Sequence, residues 1–510
     1  MRHTQTETAI EELIQQHNDA LNPEAEATAI ILAAGHGKRI KSERSKMLHK
    51  IWGKTTVERV STAARKGLHN ANICLVVGIK AESVIRTVGK RPNQIFVYQE
   101  EQKGTGHAVQ VALNALPDFI KDQTVYVFPG DIGLLREPTV CDFREKFRAA
   151  QADMMVLTGQ YEGDPEENYY GRILRVPVQN GNGEQGKVLQ IMEHRDIQAL
   201  EPDRPYAVYL DSREFTFDRR DLLEIREFNT GIFAFMGQPL LQHITHLNAD
   251  NVQGELYLTD LIKIFNEQGC VVQASPALDN RDVIGFNNKS VLKQMNSTYK
   301  QDAYDQLKDI VTFRDPEDFF ICDEMVDSLL EMDKNGSPLD INIGKSVYIN
   351  GNVRFSPGVT IKDNVNITGN VVLGRGVTIH KGVEISTYPH QTLEIGDASV
   401  IFQEDIIKGN TRIGKHCRIE SGVNVTGSDK YPTIIGDRVM IKGTSYIFGS
   451  TVEENTWIEH CVLKTKKVHC HFDRNGEVAP IRYVIPQPEG LDDVESIGDD
   501  REEYTWPPAE

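Results

Sequence analysis

The stretch "AIILAAGHGKRIKSERSKMLHK", residues 29–50, sets His36, Lys38, Arg39, Lys41, Arg44 and Lys46 directly behind an apolar run, in a chain whose formal net charge is −18. Gly35 and Gly37 open the turn between the two. Glycine lets a backbone bend tightly and bring N–H groups close to an anion, while Arg and Lys add forked and point-charge contacts to phosphate oxygens. Arg39 and Lys46 are the candidates for those contacts. The pattern is not the GxxxxGK[ST] phosphate loop, and Ile40 stands where the dinucleotide fingerprint needs its third glycine. A glycine pair behind a strand equally describes a plain tight turn followed by solvated cations, so the chemistry depends on what else the fold brings to this turn.

The elements around the turn follow from periodicity. Between about Thr28 and Asn288, apolar runs such as "AIILAA", "NICLVVGI", "QIFVYQ" and "QTVYVFPGD" alternate with helical stretches, which predicts an α/β, Rossmann-like domain with a mostly parallel sheet. Ligands of such sheets sit at the carboxyl ends of the strands, where the cationic turn lies. From Ile341 the rhythm changes. A branched aliphatic recurs every sixth position through Val347, Val353, Val359, Val365, Val371, Val377 and Val383, and each is followed two residues later by another apolar side chain. Paired positions of a strand face one way, and the residues between pairs ("SPG", "KDN", "TGN") form corners, so each hexad is one strand and one turn. A single hexad cannot bury its pair, so the units must stack into a solenoid; the period resumes at Ile407, Ile413, Ile419 and Val425 after an excursion around "STYPHQTLEIGDAS". The solenoid resembles the hexapeptide-repeat, left-handed parallel β-helix family, which implies trimers.

A length of 510 residues implies several domains. The expected boundaries are a helical extension over 1–27, the α/β domain over 28–290, a helical linker over 291–336, the β-helix over 337–470 and an acidic tail over 471–510. The acidic balance argues against nucleic acid or a membrane as partner. Seven scattered cysteines without a CxxC pair point to a reducing compartment, and with no signal peptide or apolar spanning run a cytoplasmic protein is expected.

The wider first stretch, "LAAGHGKRIKSERSKMLHKIWGKT", resembles the signature of sugar-phosphate nucleotidylyltransferases, most closely the N-acetylglucosamine-1-phosphate uridylyltransferase half of the bacterial bifunctional amino-sugar enzymes. Further segments match the same family in the same order across roughly residues 29–289. The resemblance implies nucleotide contacts from Leu32, Ala34, Gly35 and Gly37, with Arg39 and Lys46 as the catalytic cations on the phosphates. "QEEQKGTGHA" resembles the uracil loop, implying base contacts from Gln99, Gly104 and Thr105; an amide side chain can read the donor and acceptor edge of uracil. "PGDIGLL" and "IGFNNK" imply Asp131 and Asn287 as ligands of Mg²⁺, a hard cation that takes oxygen donors and leaves positions for water and substrate phosphate. "NYYGRI", "MEHRD", "FNTGIF" and "QGELYLTD" imply sugar contacts from Gly171, Glu193, Asn229, Tyr257 and Thr259, although Glu193 also reads as an ion-pair partner of Arg195. The implied partners are UTP and N-acetylglucosamine 1-phosphate, with a homotrimer held through the β-helix.

The chain departs from the family in several places. Lys38 replaces a threonine, Ser45 the proline before the lysine and Gly133 the proline after the GD pair, and the segment 197–227 is longer than expected. The acetyltransferase half of the family carries a catalytic histidine in a "GSKANHLSYIGDA"-like stretch, which is missing here, so acetyl transfer is not expected. His380, His390, His416 and His460 read as corner or surface residues, and "HCH" at 469–471 does not read as a metal pair, because neighbours on an extended chain face opposite ways. Two other readings remain: a nucleotidylyltransferase for another sugar 1-phosphate or NTP, and a non-catalytic nucleotide-sugar binding protein.

Overall fold

The computed structural model describes residues 2–35, 40, 42–177, 186–202, 204–210, 213–286 and 288–483, and divides into two compact units, Met1–Tyr299 and Lys300–Glu510. No described helix is long and apolar enough to cross a membrane.

In the first unit, helix α1 (Arg2–His17) precedes strand β1 (Ala27–Ala33), and a small hairpin of β2 (Lys50–Ile51) and β3 (Lys54–Thr55) leads into α2 (Thr56–Leu68). There follow β4 (Ala71–Val77), α3 (Ala81–Val88), β5 (Gln94–Tyr98), α4 (Thr105–Ala115), β6 (Thr124–Pro129), α5 (Glu137–Ala150) and β7 (Met154–Gln160). The remaining strands are β8 (Arg172–Arg175), β9 (Val188–Met192), β10 (Tyr206–Leu210), β11 (Arg213–Phe217), β12 (Glu227–Met236) and β13 (Val272–Pro276). The main sheet runs β13-β7-β12-β6-β1-β4-β5, with β8 attached to β12 and β9 to β8. It is the mostly parallel sheet expected: β1 lies parallel to β4 and β6, β12 enters antiparallel between β6 and β7, and β8 and β9 add antiparallel pairs beside it.

Strand alternation divides the core in two. Ala29, Ile31 and Ala33 of β1 face α2, α3 and α5 through Val60, Val84 and Phe143, whereas Ile30 faces α4 and the helix Leu261–Glu267 through Val109 and Phe265. The edge strand β5 is closed by the residues that follow α1. Asn18 Oδ1 accepts from Phe96 N at 2.7 Å, and Asp19 N donates to Gln94 O at 2.8 Å, which removes an open edge from the sheet. The long segment 197–227 forms the β10–β11 hairpin and the short helix Arg219–Glu224 over a separate small core of Leu174, Leu189, Ile197, Val208, Leu210 and Leu222.

The second unit is the left-handed β-helix, three parallel sheets whose strands stack coil on coil. Ile367 pairs with Ile349 on one side and Ile385 on the other, eighteen residues away each time, so three hexads make one coil. The aliphatic pairs fill the interior; Ile349, Val359, Ile367 and Val377 are fully buried. The stack begins earlier than the six-residue period does, because Val311–Phe313 and Phe319–Ile321 pair with Ile341–Ile343 and Val347–Ile349. At the other end, Ile481 bridges to Ile458 and Tyr483 O accepts from Val462 N, extending the ladder.

Among the described residues, one inward position of the coils carries a carboxyl group, beside several small buried hydroxyls such as Ser399 and Ser445. Where neighbouring coils place Val365, Val383 and Val423, the chain has Asp405, fully buried, with Oδ1 accepting from Val423 N at 2.8 Å and Oδ2 unpartnered among the described residues. Burial pushes this carboxyl up to about 8, against backbone N–H donors that hold it down. An unfolded aspartate ionises near about 3.9, so the native state must keep a proton that the unfolded chain has released. The resulting penalty grows as pH rises from about 4 to about 8 and is level beyond. Asp405→Asn is therefore expected to stabilise this unit by about 1–3 kcal/mol at pH 8 and by much less at pH 4, as measured by thermal melts at the two pH values.

Candidate active site

The carboxyl ends of β1 and β6 are locked together by backbone. Gly130 N donates to Leu32 O at 3.0 Å, and a Cβ on Gly130 would stand 2.9 Å from both Leu32 O and Met47 Sδ. The bulge in β12 between Asn229 and Phe233 presses on the same point: Gly231, at φ +79°, sits where a Cβ would meet Pro129 Cγ at 2.7 Å. Asp131, the next residue but one, is thereby held against the first loop. There Lys46, opening the 3-10 turn Lys46–Leu48, forms an ion pair with Asp131 Oδ2, and both side chains are mostly buried. The Lys46 ammonium also lies 5.3 Å from the centre of the Phe286 ring.

The segment beneath this pair is pinned from α5. Arg136 donates to Asp282 Oδ1 and Asp279 Oδ2, both at 2.6 Å, and Thr139 donates to Asp282. Gly285 then passes Asp131, where an added Cβ would make ordinary van der Waals contact at 3.6 Å from Oδ2. The Tyr170 hydroxyl donates to Gly285 O at 3.4 Å and is pushed up to about 12 by burial, with the charge of Asp131 adding to it. Gly37, Arg39 and Asn287 lie outside the described residues. The two loop departures have local consequences. Ser45 is buried with its hydroxyl unpartnered among the described residues. A Cβ at Gly133 would meet Ile51 Cδ1 at 2.6 Å and Thr56 Cγ2 at 2.8 Å, so a proline has no room there.

Gln99 and the loop after it lie beside the first turn. Gln99 continues the ladder beyond β5, its N–H donating to Val77 O at 2.7 Å, and its side chain is buried with Nε2 3.0 Å from His107 Nδ1. Gly78 brings β4 against this loop, since a Cβ there would sit 2.8 Å from Ala34 Cβ and 2.9 Å from Gln102 Nε2. Gly104, at φ +106°, faces Leu256 O, which a Cβ would meet at 2.5 Å. Leu256 N donates to Lys103 O, Gly106 N donates to Leu256 O, and Thr105 Oγ1 accepts from Leu258 N at 3.1 Å. Gly104 and Thr105 are thus stitched to the segment carrying Tyr257 and Thr259.

The other expected sugar residues meet on β8, β9 and β12. Asn229 N donates to Gly171 O at 2.9 Å, and a Cβ on Gly171 would lie 3.0 Å from Glu193 Oε1. The half-buried Glu193 carboxylate has no hydrogen-bond partner among the described residues. Arg195 does not pair with it; its guanidinium donates to Gln253 Oε1 at 2.8 Å, and Gln253 Nε2 donates to the Tyr257 hydroxyl at 2.5 Å. Burial, with Asp196 and Asp260 nearby, pushes Glu193 up to about 7. Thr259 Oγ1 is buried and unpartnered among the described residues. Sequence reasoning missed Gly78, Tyr170, Gly231 and Phe286, whose roles are all close approaches between distant segments.

In the solenoid, His380 stacks on Phe402, His416 and His460 occupy corners at φ +55° and +47°, and His390 Nε2 lies 2.8 Å from Asp429 Oδ2 across two neighbouring loops. His469 meets Glu453, whereas the Cys470 thiol donates to Asn455 O, so the tripeptide does not converge. No group of three or more metal-binding side chains of the His, Cys, Asp and Glu type occurs among the described residues.

This fold and cleft define a nucleotidyltransferase joined to a parallel β-helix. Residues 29–250 match the MobA-like NTP transferase domain, and residues 349–468 the GMPPB C-terminal domain. The chain is 30% identical over 473 residues to the bifunctional protein GlmU of Clostridium acetobutylicum, covering 86% of this chain and 93% of that protein. It is 32% identical over 468 residues to the GlmU of Clostridium novyi, covering 86% and 94%. The chain belongs to the GlmU family. A solved UDP-glucose pyrophosphorylase in complex with UDP-glucose is similar at 13% identity and a TM-score of 0.40, over 54% of this chain and 99% of that one.

The stitching at Gly104 makes a direct prediction. Gly104→Ala combines a left-handed φ with a 2.5 Å clash against backbone, so it is expected to cost about 1–3 kcal/mol and to accelerate amide exchange at Leu256 and Leu258, read by hydrogen–deuterium exchange.

Proposed function

We propose that the first unit transfers UMP from UTP to N-acetylglucosamine 1-phosphate, giving UDP-N-acetylglucosamine and pyrophosphate. The observation that carries this reading is the mostly buried Lys46–Asp131 pair at the ends of β1 and β6, in the unit that also holds Gln99 and the partnerless Glu193. An oxygen of the sugar phosphate attacks the α-phosphorus of UTP, a new O–P bond forms, the bond to the β-phosphate oxygen breaks and pyrophosphate departs. The attacking phosphate is already ionised at neutral pH, so no general base is needed. Lys46 and Arg39 hold phosphate oxygens and offset their mutual repulsion; the buried position of Lys46 strengthens that contact. Gln99, Gly104 and Thr105 hold the base, and Gly171, Glu193, Asn229, Tyr257 and Thr259 hold the sugar, so that the two phosphates meet in line.

The residues fit a divalent ion of the hard class. Asp131 offers a carboxylate at a strand end, and Gly285 leaves its approach free of a side chain. Mg²⁺ needs only one or two protein oxygens, and we assign them to Asp131 and Asn287. When bound, the ion supplies charge neutralisation on the reacting phosphates.

All seven cysteines are unpaired thiols, which favours a reducing compartment, and we place the reaction in the cytoplasm. We further propose that the β-helix joins three copies. Tyr348, Ile434 and Tyr446 are exposed on this unit and offer apolar contact. Light scattering is then expected to give three times the 57.4 kDa chain mass.

The decisive assay is pyrophosphate release with each NTP, a panel of hexosamine and hexose 1-phosphates and Mg²⁺. UTP with N-acetylglucosamine 1-phosphate is the expected best pair. Lys46→Ala and Asp131→Ala are each expected to lose about 10²–10³-fold in kcat/KM while retaining a cooperative melt. Wild type that releases no pyrophosphate from any pair, or variants that match it, would end the proposal.

A further inference from the structure

The two-residue turn of the β2–β3 hairpin, Trp52 and Gly53, lies in the left-handed region at both positions, at φ +47° and +81°. Glycine takes that conformation freely, whereas a bulky residue keeps it only where its surroundings hold it. Here two elements do so. From α2, Arg59 donates to Ile51 O at 2.7 Å and to Trp52 O at 2.8 Å. From the helix Lys289–Leu307, Asn296 Oδ1 accepts from Trp52 N at 2.9 Å. The Tyr299 ring of the same helix lies against both side chains, its centre 3.8 Å from Arg59 Cζ and 6.2 Å from the Trp52 ring. Arg59 and Trp52 are buried. The path from this hairpin back to Lys46 is short and closed. Thr56 N donates to His49 O at 3.0 Å, Thr56 Oγ1 donates to Met47 O at 3.1 Å, and His49 stands edge-on to Phe286, the ring that meets the Lys46 ammonium. The segment 46–56 is therefore fastened at one end by Phe286 and at the other by Asn296 and Tyr299.

From this geometry we infer that Tyr299 is a positioning residue for Lys46: its ring docks the helix Lys289–Leu307 on Arg59 and Trp52, and that docking holds the segment 46–56 so that the ammonium stays at the strand ends. The inference rests on the proposed role of Lys46 in holding phosphate. A lysine ammonium sits on a flexible stem, so its placement against a reacting phosphate depends on the backbone beneath it. The Arg59 guanidinium is bonded to two carbonyls of the hairpin and stacked on its face by the Tyr299 ring. An aliphatic side chain of similar size fills the space but offers no π face to the cation. The Tyr299 hydroxyl plays no part in the stack, so phenylalanine serves in its place.

The test measures kcat/KM for UTP by pyrophosphate release, at saturating sugar phosphate, in the full chain carrying Tyr299→Leu or Tyr299→Phe, each alone and combined with Lys46→Ala. Tyr299→Leu is expected to lose about 10- to 100-fold, the scale of a small misplacement far from the chemistry. Tyr299→Phe keeps the ring and is expected to restore most of that loss. In the Lys46→Ala background the leucine variant is expected to cost no more than about twofold further, because the residue it acts through is already gone. A merely structural role would cost the same factor in both backgrounds. Amide exchange gives a readout independent of turnover. Tyr299→Leu is expected to accelerate exchange at Leu48 and His49, which donate to Ser45 O and Lys46 O, and to leave β4 unchanged. Equal losses in the two backgrounds, Tyr299→Leu with unaltered kcat/KM, or phenylalanine behaving as leucine does, would overturn the inference. A wild type that shows no UTP turnover would instead remove the reading beneath it; exchange would still decide the clamp, and unchanged rates at Leu48 and His49 would overturn it.

Discussion

A lysine ammonium and an aspartate carboxylate, both largely out of water, hold each other at the top of the sheet, and the geometry of the first unit converges on that contact. Burying two charges costs several kcal/mol per ion unless each is paired in good geometry. Lys46 and Asp131 meet this need for one another, with the ring of Phe286 against the cation. Two glycines permit the approach: Gly130 lets β6 lie on the end of β1, and Gly231 lets the β12 bulge press on Pro129. In the proposed reaction this pair is a placeholder. Lys46 would turn to the incoming phosphate and Asp131 would help hold a divalent ion, which would supply charge neutralisation there, so that neither side chain would be left a bare buried charge.

This reasoning also answers the composition. A chain with a net charge of −18 gains nothing from spreading cations over its surface if its substrate is a polyanion; in the proposed reaction a local group of cations following β1 in the sequence would draw phosphate in. The long segment 197–227 carries its own apolar core and is anchored to the sheet by the bidentate Arg175–Glu227 pair and by Gln190 donating to Tyr206. A segment with a core of its own is an added module, and the strands beside it, β8 and β9, also bear Gly171 and Glu193 at or near their ends.

What could be read from the residues alone divides along a physical line. The β-helix was legible because each hexad interacts with its neighbours at a fixed period, so a one-dimensional pattern encodes a nearly one-dimensional fold. Its first coil was not, because Val311 and Phe319 are spaced by eight and the helix Asp323–Asp333 interrupts the coil before Ile341. The alternation of the first unit gave the parallel sheet, but not the antiparallel entry of β12, which depends on partners chosen across the whole domain. In the cleft, the charged and amide residues could be picked out from type and spacing. The residues that set their distances could not: Gly78 and Gly231 matter only because Ala34 and Pro129 come to 2.8 and 2.7 Å of where a Cβ would stand. Asp405 carries the same lesson in reverse. The period predicts valine there, and the exception is visible in the sequence while its cost is visible only in the packing.

The Gly104–Thr105 turn has a consequence for how the two substrates communicate. Its backbone bonds to Leu256 and its hydroxyl to Leu258 N, so the residues expected to touch the base and those expected to touch the sugar share one hydrogen-bonded strip. Ordering that strip carries an entropic cost of about 1–2 kcal/mol per residue fixed. Under the proposed roles, a nucleotide that settles on Gln99 and Thr105 would restrain Tyr257 and Thr259 as well, so a sugar phosphate arriving second would bind to a segment already in place. The reverse order would then hold by linkage, with the sugar raising nucleotide affinity by the same factor. The cooperativity would then reside in main-chain hydrogen bonds between residues 103–106 and 256–258, not in any side chain that contacts both substrates.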